Sequence, residues 1–218
     1  MNQTCLILLV GLWAFSLSFG IERQNHGFQL ERWVIDRFYK NINSDYTSKW
    51  DIPIGSEFQE AVPIQFRNLP VSIKVVKYKQ SIGFGDAIRQ IETKQDFLLI
   101  LGIWELKGKK KKWKQVLAKK ITKENWLDYW NPISIDFVMD LDSKIKDMTI
   151  PYETIRKYAK ARKKEPPFSK SVMQINPKID SKKQRRLQCS LRHSESIKWI
   201  EGNPETLTLW GEKLPEIH

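Results

Sequence analysis

Three polar residues in the first half of the chain could together act on a phosphate group. Asp51 precedes an isoleucine and a proline, Lys74 lies inside the apolar segment 71–76, and Asp86 follows a Gly-Phe-Gly sequence. A lysine inside an apolar strand costs free energy unless it has a partner or a task. Carboxylates can hold Mg²⁺ beside a scissile phosphodiester, and a nearby lysine can orient or help deprotonate the attacking water. These residue types therefore favour Mg²⁺-dependent phosphodiester hydrolysis.

The elements that must position these residues alternate between helix and strand. Apolar residues recur at helical spacing over 27–39, and Asp86 is a natural N-cap for a helix that runs to about residue 93. The uninterrupted apolar run 97–104 is typical of a strand covered on both faces. Strands are also predicted at 49–54, 62–66 and 71–76, with a loop at 82–85. The resulting order, α-β-β-β-α-β, predicts a mixed sheet.

At these residues the sequence resembles the PD-(D/E)XK nuclease superfamily, and within it the type II restriction endonucleases. The resemblance assigns Asp51 as the first acid and Lys74 as the lysine of the acid-x-Lys motif. It implies an α/β (α+β) fold with a restriction-endonuclease-like core, in which helices flank a central mixed β-sheet and a helical and β-arm elaboration follows. It also implies Mg²⁺ as cofactor and double-stranded DNA as substrate.

The second acid of the motif is missing, because Ser72 stands in its position. Some members of the superfamily resemble this case, and there a carboxylate from the following helix takes over the metal contact. Asp86 is the preferred replacement, since Glu92 lies six residues later and is rotated off the same helix face, whereas Gln90 shares it. Glu31 on the first helix is another contributor. The predicted catalytic residues are Asp51, Lys74 and Asp86, and the predicted metal ligands are Asp51, Asp86, Glu31 and Glu92.

A second register of the motif is present at Glu105-Leu106-Lys107, with Asp86 as its first acid. It ranks below the first register for two reasons. Asp86 is predicted to begin a helix, and Lys107 belongs to a lysine run that is typical of a solvated surface.

The charge of the chain indicates an anionic partner. Lys and Arg number 37 against 25 Asp and Glu, which gives a formal charge of +12 and a pI near 9.6. Nucleic acid is favoured over an acidic membrane surface, and no membrane partner is expected. The segments 107–120 and 156–164 supply point charges suited to phosphates.

A third basic segment is a candidate for reading DNA bases. It connects two predicted strands, 172–176 and 187–191, and it mixes arginine and amide side chains with lysines. Arginine and glutamine can pair bidentately with guanine and adenine, although a solvated basic loop is the alternative. The predicted DNA-binding residues are Lys178, Lys182, Lys183, Gln184, Arg185, Arg186 and Gln188.

The length of 218 residues predicts one domain with a real core. Within 21–218, the catalytic core is predicted at 27–120, and a DNA-binding and dimerisation elaboration at 121–218, with helices at 135–145 and 152–162. Two distant cysteines and three histidines without the spacing of zinc ligands argue against a disulfide scaffold and a structural zinc site. Residues 1–20 are apolar and uncharged, which predicts either a secretory leader or a buried element. Because a basic flank is missing, a cytoplasmic location is expected, with secretion as the alternative.

The function expected from these features is a type II restriction enzyme that cuts DNA at a specific short site. Cleavage of both strands of a palindrome predicts a homodimer, for which Trp126 and Trp130 are candidate anchors. A repair or mobile-element nuclease of the same superfamily is a third reading. The alternative from another class is a non-catalytic basic protein that binds nucleic acid or another polyanion, and that is secreted if residues 1–20 form a leader.

Overall fold

The computed structural model describes residues 27–40, 42, 48–59, 61–180, 184–195, 198, 207–208 and 214–217. These residues form a mixed α and β architecture with two small open sheets. Helix α1 covers 27–38. The elements that follow are β1 (Val71–Lys77), β2 (Ile82–Asp86), α2 (Ala87–Ile91), β3 (Phe97–Lys107), β4 (Lys110–Ile121), α3 (Lys123–Trp130), α4 (Ile135–Lys146), α5 (Tyr152–Arg162), β5 (Met173–Ile179), β6 (Arg185–Leu191) and β7 (Leu207–Thr208).

The first sheet has the strand order β1-β3-β4-β7 and is mixed. Strand β1 runs parallel to β3, with Lys74 opposite Leu101, while β3 and β4 form a long antiparallel hairpin. Because β1 pairs with β3 on one side only, it is an edge strand of this sheet. Most lysines of the segment 107–120 lie on strand β4 of this hairpin.

One face of the first sheet packs against α1. Leu30 and Val34 are fully buried there, against Val71 and Ile73 of β1. Gly102 of β3 makes this approach possible, because a Cβ at this position would lie 2.5 Å from Leu30 Cδ2 and 2.7 Å from Trp113 Cζ3. The absence of a side chain at residue 102 thus sets the distance between α1 and the sheet.

The opposite face of the first sheet contributes to a larger core, which also includes α3, α4 and α5. Trp126 lies within it, fully buried, and its ring makes edge contacts with Phe84 and Phe97. Its indole Nε1 donates to the Gln90 carbonyl over 2.8 Å. Trp130 is 1% exposed, so both tryptophans are core residues. This corrects their interpretation as surface anchors of a dimer.

The second sheet has the order β2-β6-β5 and is antiparallel throughout. Ile175, Leu187 and Leu191 point from its inner face into the larger core. Strand β2 carries a register shift between Gly83 and Gly85, and Gly85 has a φ of +83°. This conformation favours glycine and explains how a Gly-Phe-Gly sequence is accommodated in a strand.

The mixed α and β class, α1, β1 and β3 agree with the expectation from sequence. The predicted strand 49–54 is wrong, and only an isolated bridge between Ile52 and Val71 is present there. Pro53 has no backbone N–H to donate to a neighbouring strand, and Gly55 turns the chain with a φ of +80°. The predicted strand 62–66 is instead a 3-10 turn, Ile64–Phe66, and the predicted loop 82–85 is part of β2. The described strands thus form two sheets where one central sheet was expected. The restriction-endonuclease core stays a prediction.

No helix in the described residues is both long enough and apolar enough to cross a membrane. The predicted apolar segment 1–20 lies outside the described residues.

Candidate active site

Asp51 is fixed against the free edge of β1. Ile52 and Val71 exchange both backbone hydrogen bonds of an isolated antiparallel bridge, over 3.2 and 2.8 Å. The next outward-facing amide of the strand, that of Ile73, donates to Asp51 Oδ2 over 2.5 Å. The carboxylate thereby satisfies the outward-facing Ile73 amide, as the carbonyl of a neighbouring strand would otherwise do.

Lys74 reaches the same carboxylate. Its Nζ lies 3.0 Å from Asp51 Oδ2 and 2.9 Å from the carbonyl oxygen of Ile73. The side chains of Lys74 and Asp51 are 22% and 26% exposed, so the pair is partly buried but open to solvent. An ammonium group has three N–H donors, and one remains available after these two contacts.

Glu31 of α1 joins this pair electrostatically. Burial raises the pKa of the Glu31 carboxyl, the negative charge of Asp51 raises it further, and the positive charge of Lys74 lowers it. We refer to Glu31, Asp51 and Lys74 as the β1-edge cluster. It brings together two carboxylates and one ammonium from three separate parts of the sequence.

The donor set of the β1-edge cluster fits Mg²⁺, which prefers oxygen ligands. Within the described residues, no group of three or more His, Cys, Asp or Glu side chains could hold a metal ion. Proteins nevertheless often bind Mg²⁺ through only one or two carboxylates, because substrate phosphates and water supply its other ligands. Both contacts made by Asp51 use Oδ2. In the described part of the chain, Oδ1 has no partner and is the oxygen that can face a cation.

Ser72, which occupies the position of the missing acid, is 4% exposed. A carboxylate there would need a buried partner to offset its desolvation. The second carboxylate near Asp51 comes instead from α1.

Asp86 and Glu92 lie at the two ends of α2. Asp86 is the N-cap, and its Oδ1 accepts from the Arg89 amide over 2.9 Å. Glu92 is the C-cap, and its charge acts on Lys49. Among the contacts of the described residues, none joins Asp86 or Glu92 to the β1-edge cluster. Their metal roles stay predictions, and electrostatic coupling to Asp51 favours Glu31 as the second ligand.

Lys49 is a further candidate residue of this site that the sequence motif does not include. Burial lowers the pKa of its ammonium group, the charge of Glu92 raises it, and the charge of Arg89 lowers it. Its Nζ lies 5.4 Å from the centre of the Trp50 ring. A half-buried cation two residues before Asp51 is suited to a phosphate contact. In the sequence, this role is indicated only by the position of Lys49 just before the first acid of the motif.

In the alternative motif register, none of the contacts of the described residues joins Glu105 or Lys107 to Asp86. Glu105 faces the lysines of the β3–β4 hairpin, 3.5 Å from Lys107 and 3.9 Å from Lys114. Asp86, its proposed first acid, belongs to the second sheet.

The predicted DNA-binding residues that lie on strands β5 and β6 divide between the two faces of the second sheet. Arg185 faces inward and donates to the carbonyl oxygens of Ile145, Asp147 and Ile150, at the end of α4 and in the following loop. This is a structural role, which differs from the predicted base contact. Gln184 closes the β5–β6 turn with Asp180. The outward-facing residues are Lys178, Arg186 and Gln188, and Lys182 and Lys183 lie outside the described residues.

No family model, curated protein or solved structure matches the chain.

Proposed function

We propose that the protein is a Mg²⁺-dependent endonuclease that hydrolyses phosphodiester bonds of double-stranded DNA at a specific short site, in the manner of a type II restriction enzyme. The observation that supports this proposal is the β1-edge cluster, in which the charges of an ion pair between Asp51 and Lys74 act on a second carboxylate, Glu31. The net charge of +12 supports a polyanionic substrate.

Each member of the β1-edge cluster has a separate task in this proposal. Asp51 and Glu31 would hold Mg²⁺ through their carboxylate oxygens. When bound, Mg²⁺ neutralises the phosphate charge and lowers the pKa of a water ligand. Lys74 uses its third N–H to hold the attacking water or a phosphate oxygen close to Asp51. The water oxygen forms a bond to phosphorus and releases one proton to solvent, one P–O ester bond breaks, and the leaving oxygen takes up a proton from solvent, so that the products are a phosphate monoester and a hydroxyl group.

Substrate is part of the metal site in this arrangement. Two carboxylates alone leave most ligand positions of an octahedral ion to water and phosphate. The protein should therefore bind Mg²⁺ more weakly in the absence of DNA than in its presence.

Cleavage of phage DNA in the presence of Mg²⁺ tests the proposal. Discrete fragments are expected with the wild-type protein, and Asp51→Ala or Lys74→Ala should lower the cleavage rate by about 10²-fold or more. Lys77→Ala on the same strand and Asp128→Ala on α3 are matched controls and should leave cleavage intact. Binding without cleavage at any divalent metal would contradict the proposal and support the non-catalytic polyanion-binding alternative.

The fragment pattern separates site-specific cleavage from other nuclease activities. Discrete fragments support a restriction enzyme, whereas nonspecific or structure-dependent cutting supports a repair or mobile-element nuclease. A specific palindromic site would also require a homodimer, and sedimentation of the protein with a cleaved site would measure it.

A further inference from the structure

We propose that the outer face of the second sheet binds duplex DNA by placing the β5–β6 ribbon in the major groove. We refer to Gly83, Asn176, Lys178, Arg186 and Gln188 as the ribbon face. The inference rests on the proposed function in one respect, namely that duplex DNA is the substrate.

The strand register places these side chains together on one surface. Asn176 pairs with Gln188 and Lys178 pairs with Arg186, while Gln188 also pairs with Asp86 of β2. Neighbouring residues along the strands, Ile175, Ile179 and Leu187, are buried in the core. Successive side chains of a strand point to opposite faces, so the polar residues face outward.

The outer end of this sheet is only two strands wide. Strand β2 pairs with β6 from Gln188 to Leu191, and the pairs Lys178–Arg186 and Ile179–Arg185 extend beyond it. The major groove of B-DNA admits a two-stranded ribbon, whereas the major groove of A-form RNA is too deep and narrow for side chains to read. Duplex DNA is therefore the partner that fits this end of the sheet.

Like charges lie directly opposite each other on the ribbon. Lys178 and Arg186 are both exposed, and their register makes them cross-strand neighbours. Such a pair is destabilising in the free protein. Neither side chain has an ion-pair or hydrogen-bond partner within the described part of the chain. An anionic ligand such as the DNA backbone would remove the repulsion.

Two amides beside this charge pair differ in how they are held. Lys163 Nζ donates to Asn176 Oδ1 over 3.2 Å, and Asn176 Nδ2 donates to Ser190 Oγ over 2.8 Å, so this amide is fixed. The side chain of Gln188 has no hydrogen-bond partner among the described residues. A free glutamine amide and a free guanidinium, two positions apart on β6, are the groups that pair bidentately with adenine and guanine.

Gly83 keeps the surface flat next to these groups. It is exposed and pairs with Ser190, and a Cβ built on it would meet no atom within 4 Å. Its φ lies outside the left-handed region, so neither packing nor backbone conformation requires a glycine here. A glycine inside a strand often marks a place where another molecule approaches closely. Close approach of DNA explains its presence.

Fluorescence anisotropy with labelled phage DNA fragments, in EDTA to prevent cleavage, tests the inference. Lys178→Ala combined with Arg186→Ala should weaken binding by roughly tenfold or more and should lower the slope of log affinity against log salt by about 1, because Lys178 contacts a phosphate and Arg186 a base. The double variant Lys94→Ala and Lys123→Ala has the same charge change at exposed positions outside the second sheet and should retain most of the affinity. Gly83→Thr should weaken binding while its thermal unfolding matches that of the wild type. Arg186→Lys keeps the charge and should lose only the discrimination between sites.

The outcomes separate this inference from the proposed function. Loss of binding in the ribbon variants but not in the control variant supports the inference, even if no metal produces cleavage and the nuclease proposal fails. Equal binding by the wild type, the ribbon variants and Gly83→Thr overturns the inference and leaves Mg²⁺-dependent cleavage intact. Tighter binding to duplex RNA than to duplex DNA also overturns it.

Discussion

Glu31 has the clearest electrostatic role in the β1-edge cluster, because burial and the charge of Asp51 both raise its pKa. The ordinary pKa of this carboxyl is 4.5, and its pKa in the folded protein is higher. At pH values between the two, the folded protein keeps a proton that the unfolded chain has lost. Stability therefore decreases as pH rises through this interval. At neutral pH the two carboxylates repel each other, and a bound divalent cation would relieve that cost.

Glu31→Gln should raise the melting temperature of the metal-free protein at pH 7 and change it little near pH 4, where the carboxyl is already protonated. Mg²⁺ at millimolar concentration should stabilise the wild type at pH 7 but not this variant. Scanning calorimetry at both pH values measures the two effects. Glu92→Gln is the matched control, and a Mg²⁺ response that depends on Glu92 but not on Glu31 would move the metal site to α2.

Asp51 combines a structural and a chemical role, which two substitutions can separate. Asp51→Ala removes the acceptor of the Ile73 amide and of Lys74, and should cost about 1.5–3 kcal/mol of unfolding free energy. Asp51→Asn retains a carbonyl acceptor and should cost less, whereas both variants should lose cleavage. Urea denaturation together with the DNA cleavage assay checks this, and an equally active Asp51→Asn would exclude a charged metal ligand at this position.

Residue types, spacing and the family resemblance together predicted Asp51 and Lys74 as members of one site, and the two side chains are in contact. The sequence patterns did not identify Glu31, rather than Asp86 or Glu92, as the second carboxylate. Helical spacing shows which residues share a helix face but does not show which element that face packs against. Arg185 was predicted as a DNA contact from its place in a basic segment. Its three carbonyl acceptors are 35 to 40 residues away in sequence, and no local pattern encodes them.

At the scale of elements, periodic apolar patterns predicted α1, β1 and β3 well. The failures lie where proline or glycine decides the backbone. Pro53 and Gly55 reduce a predicted strand to a single bridge, and Pro63 precedes a 3-10 turn. The positive φ of Gly85 instead allows a strand where a loop was predicted. The division into two sheets depends on the pairing of β2 with β6, about 100 residues later in the chain, which local patterns do not contain.

Gly102→Ala tests the contact between α1 and the first sheet. The added methyl group would overlap Leu30 and Trp113, so either α1 or the indole ring must move, at a cost of about 1–3 kcal/mol. Since α1 carries Glu31, the cleavage rate should also fall. Gly83→Ala is the control with open space around its Cβ and should retain wild-type stability in the same denaturation experiment.

At the scale of the whole molecule, positive charge serves both architecture and recognition. Arg185 and Arg186 are adjacent on β6, yet they face opposite sides of the second sheet. Arg185 attaches β6 to the end of α4 and the loop before α5, and Arg186 faces solvent on the ribbon. Each side chain carries one positive charge. The same substitution, arginine to glutamine, at the two positions therefore separates a structural contribution from a ligand-binding contribution.

Arg185→Gln should lower the free energy of unfolding by about 2 kcal/mol, because it removes charged hydrogen bonds to at least two backbone carbonyls. Arg186→Gln should leave stability within about 0.5 kcal/mol of the wild type, as expected of an exposed side chain, but should weaken DNA binding. Chemical denaturation and anisotropy on the same two proteins give the comparison. If both variants lose affinity and neither loses stability, both arginines face the ligand, and the inward placement of Arg185 is wrong. If Arg186→Gln alone loses stability, the two faces of β6 are exchanged and the assignment of the ribbon face must be reversed with them.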